Sequence, residues 1–462
     1  MVHNYPHLCG LLSFFNCVKL VQEFKQTLRL SIPLIVSNVA QVGLGLIDSA
    51  MVGSISYKQL AASSFVINAI GIPQVICIGM TIAISALVSI ARGQKNTVAA
   101  SSYFYNGVFL STLVSIAIAS ICSIASPLLW HMGQEPEVVA IAAPYFKVMI
   151  WSLVPMTFFL SMKQFSDALE MTRIGMFLSF LSLPLNALLN WLFIFGNLGL
   201  PRMELLGAGV GTLLTRVVEA IVMLYIIFNS KAFTQYIAVK KEAWKIQRKR
   251  ITELLHIGIP SGLQLVMEAG AFSVSGIMVG WLGATAQAAH QIALNCASTT
   301  FMAVLGLSMG GSIRTAHVYG SNDVPRLKRI GVSTIAGGLI YGVVTGLLFI
   351  LFRYQLPYLF NSEAAVVTLS AQLLLVAALF QVSDSLQAIG AGLCRGIKDV
   401  KVPTILVAVA YWVIGIPVGY WLAFEQGWGA SGIWWGFVAG LSMAALLLNR
   451  RFLNMVSKKI IQ

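Results

Sequence analysis

Apolar stretches as long as a bilayer core is thick recur along the whole of this 462-residue chain. A helix of about 20 apolar residues crosses the hydrocarbon region of a membrane. Only 10% of the residues are charged, against about 25% in soluble domains. The pattern predicts an all-α integral membrane protein with twelve transmembrane helices, roughly over residues 28–53, 61–91, 103–128, 140–162, 173–196, 206–229, 253–282, 288–318, 332–353, 366–394, 402–424 and 431–449.

The two halves of the sequence repeat one another. Ile32-Pro33 returns 227 positions later as Ile259-Pro260, and several other residues follow in the same register. These are Met51-Val52-Gly53 with Met278-Val279-Gly280, Asn68 with Asn295, Gly79 with Gly306, and Gly93 with Gly320. Because each half has an even number of spans, the repeat predicts two six-helix lobes related by a pseudo-two-fold axis along the membrane normal.

The repeat and the basic residues together predict the division of the chain. We expect an N-terminal lobe over 27–230, a basic cytoplasmic linker over 231–252, a C-terminal lobe over 253–450 and a cytoplasmic tail over 451–462. Residues 1–26 are expected to form a cytoplasmic N-terminal segment. Their short apolar run has neither a basic leader nor a small-residue cleavage site, which argues against a cleaved signal peptide.

The net charge of +14 raises the possibility of a nucleic-acid partner, but its distribution argues against one. With the N-terminus inside, 25 of the 30 Lys and Arg residues fall in the segments on the cytoplasmic side. That bias follows the positive-inside rule. We therefore expect both termini in the cytoplasm, the bilayer as a partner and no nucleic acid.

Three acids interrupt separate apolar spans: Asp48, Glu268 and Asp384. An ionised carboxylate in hydrocarbon costs roughly 2.5–3.5 kcal/mol even on a lenient insertion scale, so such acids indicate function. Asn186 and Asn190 are four residues apart and share a helix face. Carboxylate and amide oxygens suit a hard cation or a proton, which predicts cation sites in both lobes, with Na⁺ possible at Asp48 or at Glu268 and Asp384.

Several motifs resemble the multidrug and toxic compound extrusion (MATE) family, closest to its NorM-like branch. The matching pieces are Pro33 with Gln41, Asp48 and MVG; QFSDAL around Asp167; Leu183-Pro184-Leu185-Asn186 with Asn190-Trp191; GIPSGLQLVMEAG around Glu268; and FQVSDSLQAIGAGLCRGIKD around Asp384. The likeness runs from about residue 25 to 450. It implies two lobes forming a V, and export of bulky, mostly cationic drugs driven by inward H⁺ or Na⁺ through alternating access.

The resemblance also implies roles for individual residues. It adds Asp167 and Gln41 to Asp48, Asn186 and Asn190 as the coupling site of the N-terminal lobe. In the C-terminal lobe it gives that role to Glu268 and Asp384.

One residue departs from the NorM-like pattern. Phe380 stands where the branch often has a tyrosine, which removes a hydroxyl ligand and favours H⁺ over Na⁺ in this lobe. The proline at position 33 predicts a kink in the first span.

Other polar residues in the spans have structural explanations. Arg216 and Glu219, three residues apart, are expected to pair with each other on an interior face, with a role in substrate binding as the alternative. His290 lies near a span end, where an interfacial or capping role is expected. The six cysteines show no paired spacing, which argues against a disulfide or metal framework.

The leading hypothesis is a monomeric secondary antiporter of a bacterial inner membrane, with no cofactor beyond the coupling ion, H⁺ or Na⁺. A lipid-precursor flippase of the same superfamily is the alternative, and it would need a cationic cavity. An intramembrane enzyme would need clustered catalytic residues, and a channel would not need two internal halves. No phosphate-binding GxxxxGK[ST] motif is present to indicate direct use of ATP.

Overall fold

The computed structural model describes residues 6–237 and 244–461, and its regular structure over those residues is helical. Twelve of the described helices are long and apolar enough to cross a membrane, which confirms the predicted number of spans. In chain order they are α1 (Pro6–Gly53), α2 (Tyr57–Gly93), α3 (Thr97–Ile124), α4 (Pro136–Ala168), α5 (Thr172–Phe195), α6 (Glu204–Asn229), α7 (Arg248–Gly280), α8 (Ala284–Ser321), α9 (Val324–Leu351), α10 (Ala364–Gly396), α11 (Lys401–Glu425) and α12 (Ala430–Ile461).

Short segments and caps join these helices. Ser126–His131, Asn197–Gly199, Lys231–Ile237 and Gln355–Tyr358 form short helical turns between them. The side chains of Ser56, Asn96 and Asp323 each accept a hydrogen bond from the backbone N–H three residues later, and so begin α2, α3 and α9. Within the predicted linker, residues 238–243 lie outside the described residues.

The first helix differs from the prediction in its length. Residues 1–26 were expected to form a separate segment, yet α1 is continuous from Pro6 to Gly53. No proline occurs between Pro6 and Pro33, so nothing in that stretch removes a backbone hydrogen-bond donor. The kink at Pro33 stays a prediction, since the helix continues on both sides of it.

The chain divides into two compact units by its internal contacts. One unit contains Val36–Val266, and the other contains the chain up to Ile35 together with the chain from Met267 onward. The boundaries therefore fall inside α1 and α7. The predicted lobes, 27–230 and 253–450, begin earlier in the same two helices. The two divisions therefore differ over residues 27–35 and 253–266.

Close contacts at glycine residues explain this division. In the unit that includes the start of α1, a Cβ at Gly306 of α8 would lie 2.6 Å from Cγ1 and 2.7 Å from the backbone nitrogen of Ile35. In the other unit, Gly79 of α2 contacts Gly262 of α7 just as closely. The two pairs are equivalent in the 227-residue repeat, so the same small-residue contact is built twice.

Polar contacts hold the parts of the same two helices that precede the unit boundaries. Arg314 of α8 donates to the Thr27 hydroxyl at 2.8 Å and pairs with the Glu23 carboxylate. At the start of α7, Arg250 donates to the Tyr103 hydroxyl of α3 at 2.6 Å. In each helix, the part before the boundary is therefore bound to another helix of its own unit.

Helix α11 is irregular. Two of its segments, Val409–Gly415 and Trp421–Glu425, are π-helical. Glycines of α12 allow a close approach to these segments: a Cβ at Gly440 would lie 2.7 Å from the Ala410 oxygen, and one at Gly432 would lie 2.5 Å from the Ala423 nitrogen. Single π-helical turns within α-helices occur frequently at functional sites.

We predict that Gly306→Ala destabilises the protein, because the added methyl group overlaps Ile35. Overpacking of this kind costs about 1–3 kcal/mol. Gly71→Ala is the matched control, since it makes the same change in a helix and its Cβ would meet nothing within 4 Å. The measurement is the unfolding temperature of each variant in detergent. Equal unfolding temperatures for the two variants would contradict the prediction.

Candidate functional site

Three side chains from two helices meet around Asp48 of α1 in the unit Val36–Val266. Asn190 of α5 donates to Oδ1 of Asp48 at 2.6 Å, and Thr212 of α6 donates to Oδ2 at 3.0 Å. The Asn190 amide also donates to Asn186 Oδ1 at 3.2 Å, as expected for two residues one helical turn apart. Asp48 is only 8% exposed. The structure thus brings together Asp48, Asn186 and Asn190.

The sequence pattern did not indicate Thr212 or its neighbour Gly211. Threonine is common in membrane helices, so a single one carries no signal. Gly211 is needed because a Cβ there would overlap the Oδ1 atom of Asn190. That same Oδ1 has no hydrogen-bond partner and is buried. The glycine therefore lets α6 approach the amide that holds Asp48.

A cavity of about 190 Å³ opens beside Asp48. Drug-sized ligands occupy pockets of about 300–1,000 Å³, so this cavity fits a small hydrated cation better than a bulky drug. Gln41 lies in its wall, as the family resemblance implied. The wall also includes Leu44, Gly45, Asp48, Ile67, Ile70, Gln74, Tyr145, Met149, Met156, Phe159, Asn186, Thr212, Thr215, Arg216 and Glu219.

The expected pairing of Arg216 with Glu219 is not what the structure shows. Arg216 donates to the Ser152 hydroxyl of α4 at 2.6 Å, and no ion pair among the described residues joins it to Glu219. The guanidinium still interacts electrostatically with both Glu219 and Asp48. Arg216 and Glu219 both line the cavity. The sequence analysis had expected them to form a structural pair.

Asp167 does not join the Asp48 group. Its carboxylate accepts a hydrogen bond from Lys163 at 3.0 Å, four residues earlier on α4, and it is fully buried. Neither residue lines the cavity. Gly175 of α5 packs against the Lys163 stem, whose Cε and Cγ would lie 3.0 Å from a Cβ at this position. A coupling ion that binds Asp167, as the resemblance implied, would therefore have to displace Lys163 from the carboxylate.

The second acidic site lies in the other unit. Glu268 of α7 and Asp384 of α10 are both buried and interact electrostatically. Tyr411, on the π-helical segment of α11, directs its hydroxyl at Oε1 of Glu268 over 3.5 Å. The structure thus brings the two predicted acids together and adds a hydroxyl that the sequence analysis missed. No local motif identifies this tyrosine.

Aromatic rings surround this acidic pair. The ring of Phe272 lies 6.2 Å from that of Phe380, 6.1 Å from that of Tyr411 and 4.7 Å from that of Phe437. Phe380 therefore contributes apolar packing where the NorM-like branch often has a hydroxyl.

Within the described residues no group of three or more His, Cys, Asp and Glu side chains is placed to hold a metal ion. Hard cations such as Na⁺ bind oxygen ligands, and the Asp48 group has carboxylate, amide and hydroxyl oxygens.

His290 is buried, contrary to its expected interfacial role. Its Nδ1 accepts a hydrogen bond from the Trp434 indole at 3.2 Å, and its Nε2 has no partner. The side chain is 1% exposed. His290 lies in the second turn of α8, which the sequence analysis took as the end of a span. Its side chain is buried because Trp434 of α12 packs against it.

Two stretches of the chain, residues 33–192 and 260–421, match the family model described as MatE. The chain belongs to the MATE family. Each stretch begins at a proline, Pro33 or Pro260, and these are equivalent in the internal repeat. This MATE chain is a multi-pass membrane transporter.

Relatives of this MATE chain match nearly its full length. The probable multidrug resistance protein NorM of Rhizobium meliloti (strain 1021) is 32% identical over 441 residues, which is 94% of each chain. The multidrug resistance protein NorM of Vibrio cholerae serotype O1 is 32% identical over 437 residues, or 93% of this chain and 95% of that one.

Solved structures show the same fold. The crystal structure of a eukaryotic MATE transporter superposes with a TM-score of 0.86 at 20% identity, covering 96% of this chain and 99% of that one. An outward-facing multidrug resistance MATE transporter gives a TM-score of 0.87 at 20% identity, covering 95% and 96%. These matches confirm the predicted MATE-like, twelve-helix fold class.

Lys163→Met is predicted to destabilise this MATE protein by about 3–5 kcal/mol, because it leaves the buried Asp167 carboxylate without its cation. The double variant Lys163→Met with Asp167→Leu should recover most of that loss. Lys58→Met is the control, since its partner Glu137 is exposed and such surface pairs contribute little. Unfolding temperature in detergent is the measurement. A double variant that is less stable than Lys163→Met would contradict this assignment.

Proposed function

We propose that the chain is a secondary multidrug antiporter that exports organic, mostly cationic compounds in exchange for inward H⁺ or Na⁺. The observation that carries the proposal is that each unit holds its own buried acidic site, Asp48 in one and Glu268 with Asp384 in the other. Its relatives carry the name multidrug resistance protein. Exchange would proceed by alternating access of two lobes.

The chemistry of each site supports binding of a monovalent cation or a proton. At Asp48, two donors hold the carboxylate in place while its cavity leaves room for a small ion. At Glu268 and Asp384, two like charges lie in a low-dielectric surrounding, where their repulsion is strong. A proton or cation that arrives between them relieves that repulsion. Each site thus favours occupancy by one positive species.

The charge of the cavity supports drug export over the flippase alternative. A lipid-precursor flippase would bind a pyrophosphate and would require a surplus of basic groups. The wall beside Asp48 carries two carboxylates, Asp48 and Glu219, and one guanidinium, Arg216. With two acids and one base, the wall favours a cationic ligand over an anionic pyrophosphate.

The distribution of basic residues supports an orientation with both termini in the cytoplasm. Arg248, Lys249 and Arg250 begin α7, and Lys458 and Lys459 lie in the last turn of α12. Positive charge at these ends follows the positive-inside rule. The bacterial organisms of the named relatives support a place in the inner membrane. A single chain carries both acidic sites, which supports action as a monomer.

The test is transport in proteoliposomes loaded with ethidium, under a pH gradient alone or an Na⁺ gradient alone. The gradient that drives export identifies the coupling ion. Asp48→Asn, Glu268→Gln and Asp384→Asn should each reduce export about tenfold or more, since a lost charge–charge contact in a buried site is worth several kcal/mol. The control is Glu137→Gln, an exposed acid outside the sites. If all three neutral variants export ethidium as the unmodified protein does, the proposal is wrong.

Tyr411→Phe should lower the H⁺ concentration needed for half-maximal export by about tenfold, because the hydroxyl donates to the ionised Glu268 carboxylate and so competes with its protonation. Hydrogen bonds to charged groups contribute roughly 1.5–3 kcal/mol. The hydroxyl points at Glu268, and the ring remains to fill the same space. Tyr420→Phe is the control on the same helix, since its side chain is exposed. An unchanged ion dependence for Tyr411→Phe would remove Tyr411 from the site.

A further inference from the structure

The cavity beside Asp48 holds a second carboxylate with an unused oxygen. Glu219 of α6 lines the same cavity, and its side chain is buried, with 6% of the residue exposed. Its Oε1 atom has no hydrogen-bond partner. A buried, ionisable oxygen without a partner is expensive in a folded protein, so it calls for a functional explanation.

Arg216 lies close to both acids and forms an ion pair with neither. It precedes Glu219 by three residues on the same face of α6, and it interacts electrostatically with Asp48 from across the cavity wall. Its hydrogen bond goes to the neutral Ser152 hydroxyl at 2.6 Å. Arginine keeps its charge in proteins, so the guanidinium is a permanent positive charge between two carboxylates.

The charges around the cavity leave one negative charge uncompensated. Lys163 also interacts electrostatically with Glu219, but it is bound to Asp167 at 3.0 Å, so those two charges cancel. Tyr145, which lines the cavity near Asp48, is neutral as a phenol. What remains is Asp48 and Glu219 against Arg216. One monovalent cation or one proton makes the cavity neutral.

We propose that Glu219 is a second cation-binding carboxylate of this cavity and that Arg216 is its resident counter-ion, so that the cavity exchanges one positive charge between Asp48 and Glu219. This inference rests on the proposed antiport function and specifies how the first unit performs it. When the cation occupies Asp48, the guanidinium compensates Glu219. When the cation leaves, the guanidinium compensates Asp48.

The exchange differs from simple filling of an acidic pocket. A pocket with one free carboxylate would become a bare buried anion each time its cation left, which is costly in a membrane interior. With Arg216 present, neither acid is left without a positive neighbour, and the incoming ion competes with a tethered charge. The cation can then be released as well as bound.

Three variants test this charge count: Glu219→Gln, Arg216→Gln and the two combined. Glu219→Gln leaves Asp48 and Arg216 to neutralise each other, and Arg216→Gln leaves two acids to hold the cation. Each single variant should lower gradient-driven ethidium export about tenfold, the size of effect expected when a charged partner is lost. The combined variant restores one net negative charge, so it should bind the cation again and export better than either single variant, since the pair acts as a unit. It should still export about threefold less than the unmodified protein, because its lone carboxylate has no positive neighbour when the cation leaves.

A second readout does not depend on transport. The stabilisation of the purified protein in detergent by Na⁺, or by a lowered pH, reports ion binding directly, because a ligand that binds only the folded state raises its unfolding temperature. The combined variant should keep this ion-dependent shift, and Glu219→Gln should lose it. Glu219→Asp, which retains the charge, should keep it as well.

The outcomes separate the two proposals. If the combined variant exports ethidium less well than Glu219→Gln, then Arg216 has a packing role and the inference is overturned. That comparison stands even if Arg216→Gln alone fails to fold. If the unmodified protein exports ethidium under neither gradient, the antiport proposal fails, and the inference fails with it. Export by the unmodified protein without rescue in the combined variant overturns the inference alone.

Discussion

The structure depends on one constraint, which is that a membrane interior offers no water to polar groups. Backbone groups meet this constraint by forming helices, and side chains must meet it by finding one another across helices. Asp48 shows the result most clearly, because donors from α5 and α6 fix both of its carboxylate oxygens. Arg314 does the same for the stretch of α1 before Ile35 by binding Glu23 and Thr27. Polar contacts between helices thus determine where each charge lies.

The sequence predicted the features that depend on periodicity. Twelve spans, the internal repeat and the shared face of Asn186 and Asn190 follow from spacing alone, because a helix fixes which residues are neighbours. Contacts between helices are different. Thr212 and Tyr411 resemble any other polar residue in a span, and only packing places them beside an acid. The pairing of Lys163 with Asp167 could have been predicted, since the two are four residues apart on one helix.

Glycines determine which helices approach closely, and their effect could not be predicted from the pattern. The repeat equates Gly79 with Gly306 and Ile35 with Gly262. It does not reveal that Gly79 contacts Gly262 or that Gly306 contacts Ile35. Seen in the structure, the contacts explain why the compact units divide within α1 and α7. Small residues allow backbones to pack tightly where lipid offers no hydrophobic drive for association. A repeated glycine is therefore informative about contacts only once the partner helix is known.

The repeat also shows that the two acidic sites are not copies. The 227-residue register pairs Gln41 with Glu268 and Asp48 with Ser275, so α1 and α7 share two polar positions seven residues apart on one face. In α1 the acid occupies the later position, and in α7 the earlier one, a difference of about 10 Å along the helix. The 222-residue offset that relates Gly207-Ala208 to Gly429-Ala430 pairs Arg216 and Glu219 with Val438 and Leu441. The first unit therefore places its guanidinium three residues from its second acid on α6, while the second unit places its two acids among aromatic rings. In the second unit, the guanidinium that interacts electrostatically with Glu268 is that of Arg395 on α10. Since the charges differ in position and in the side chains around them, the two sites should differ in which positive species they hold.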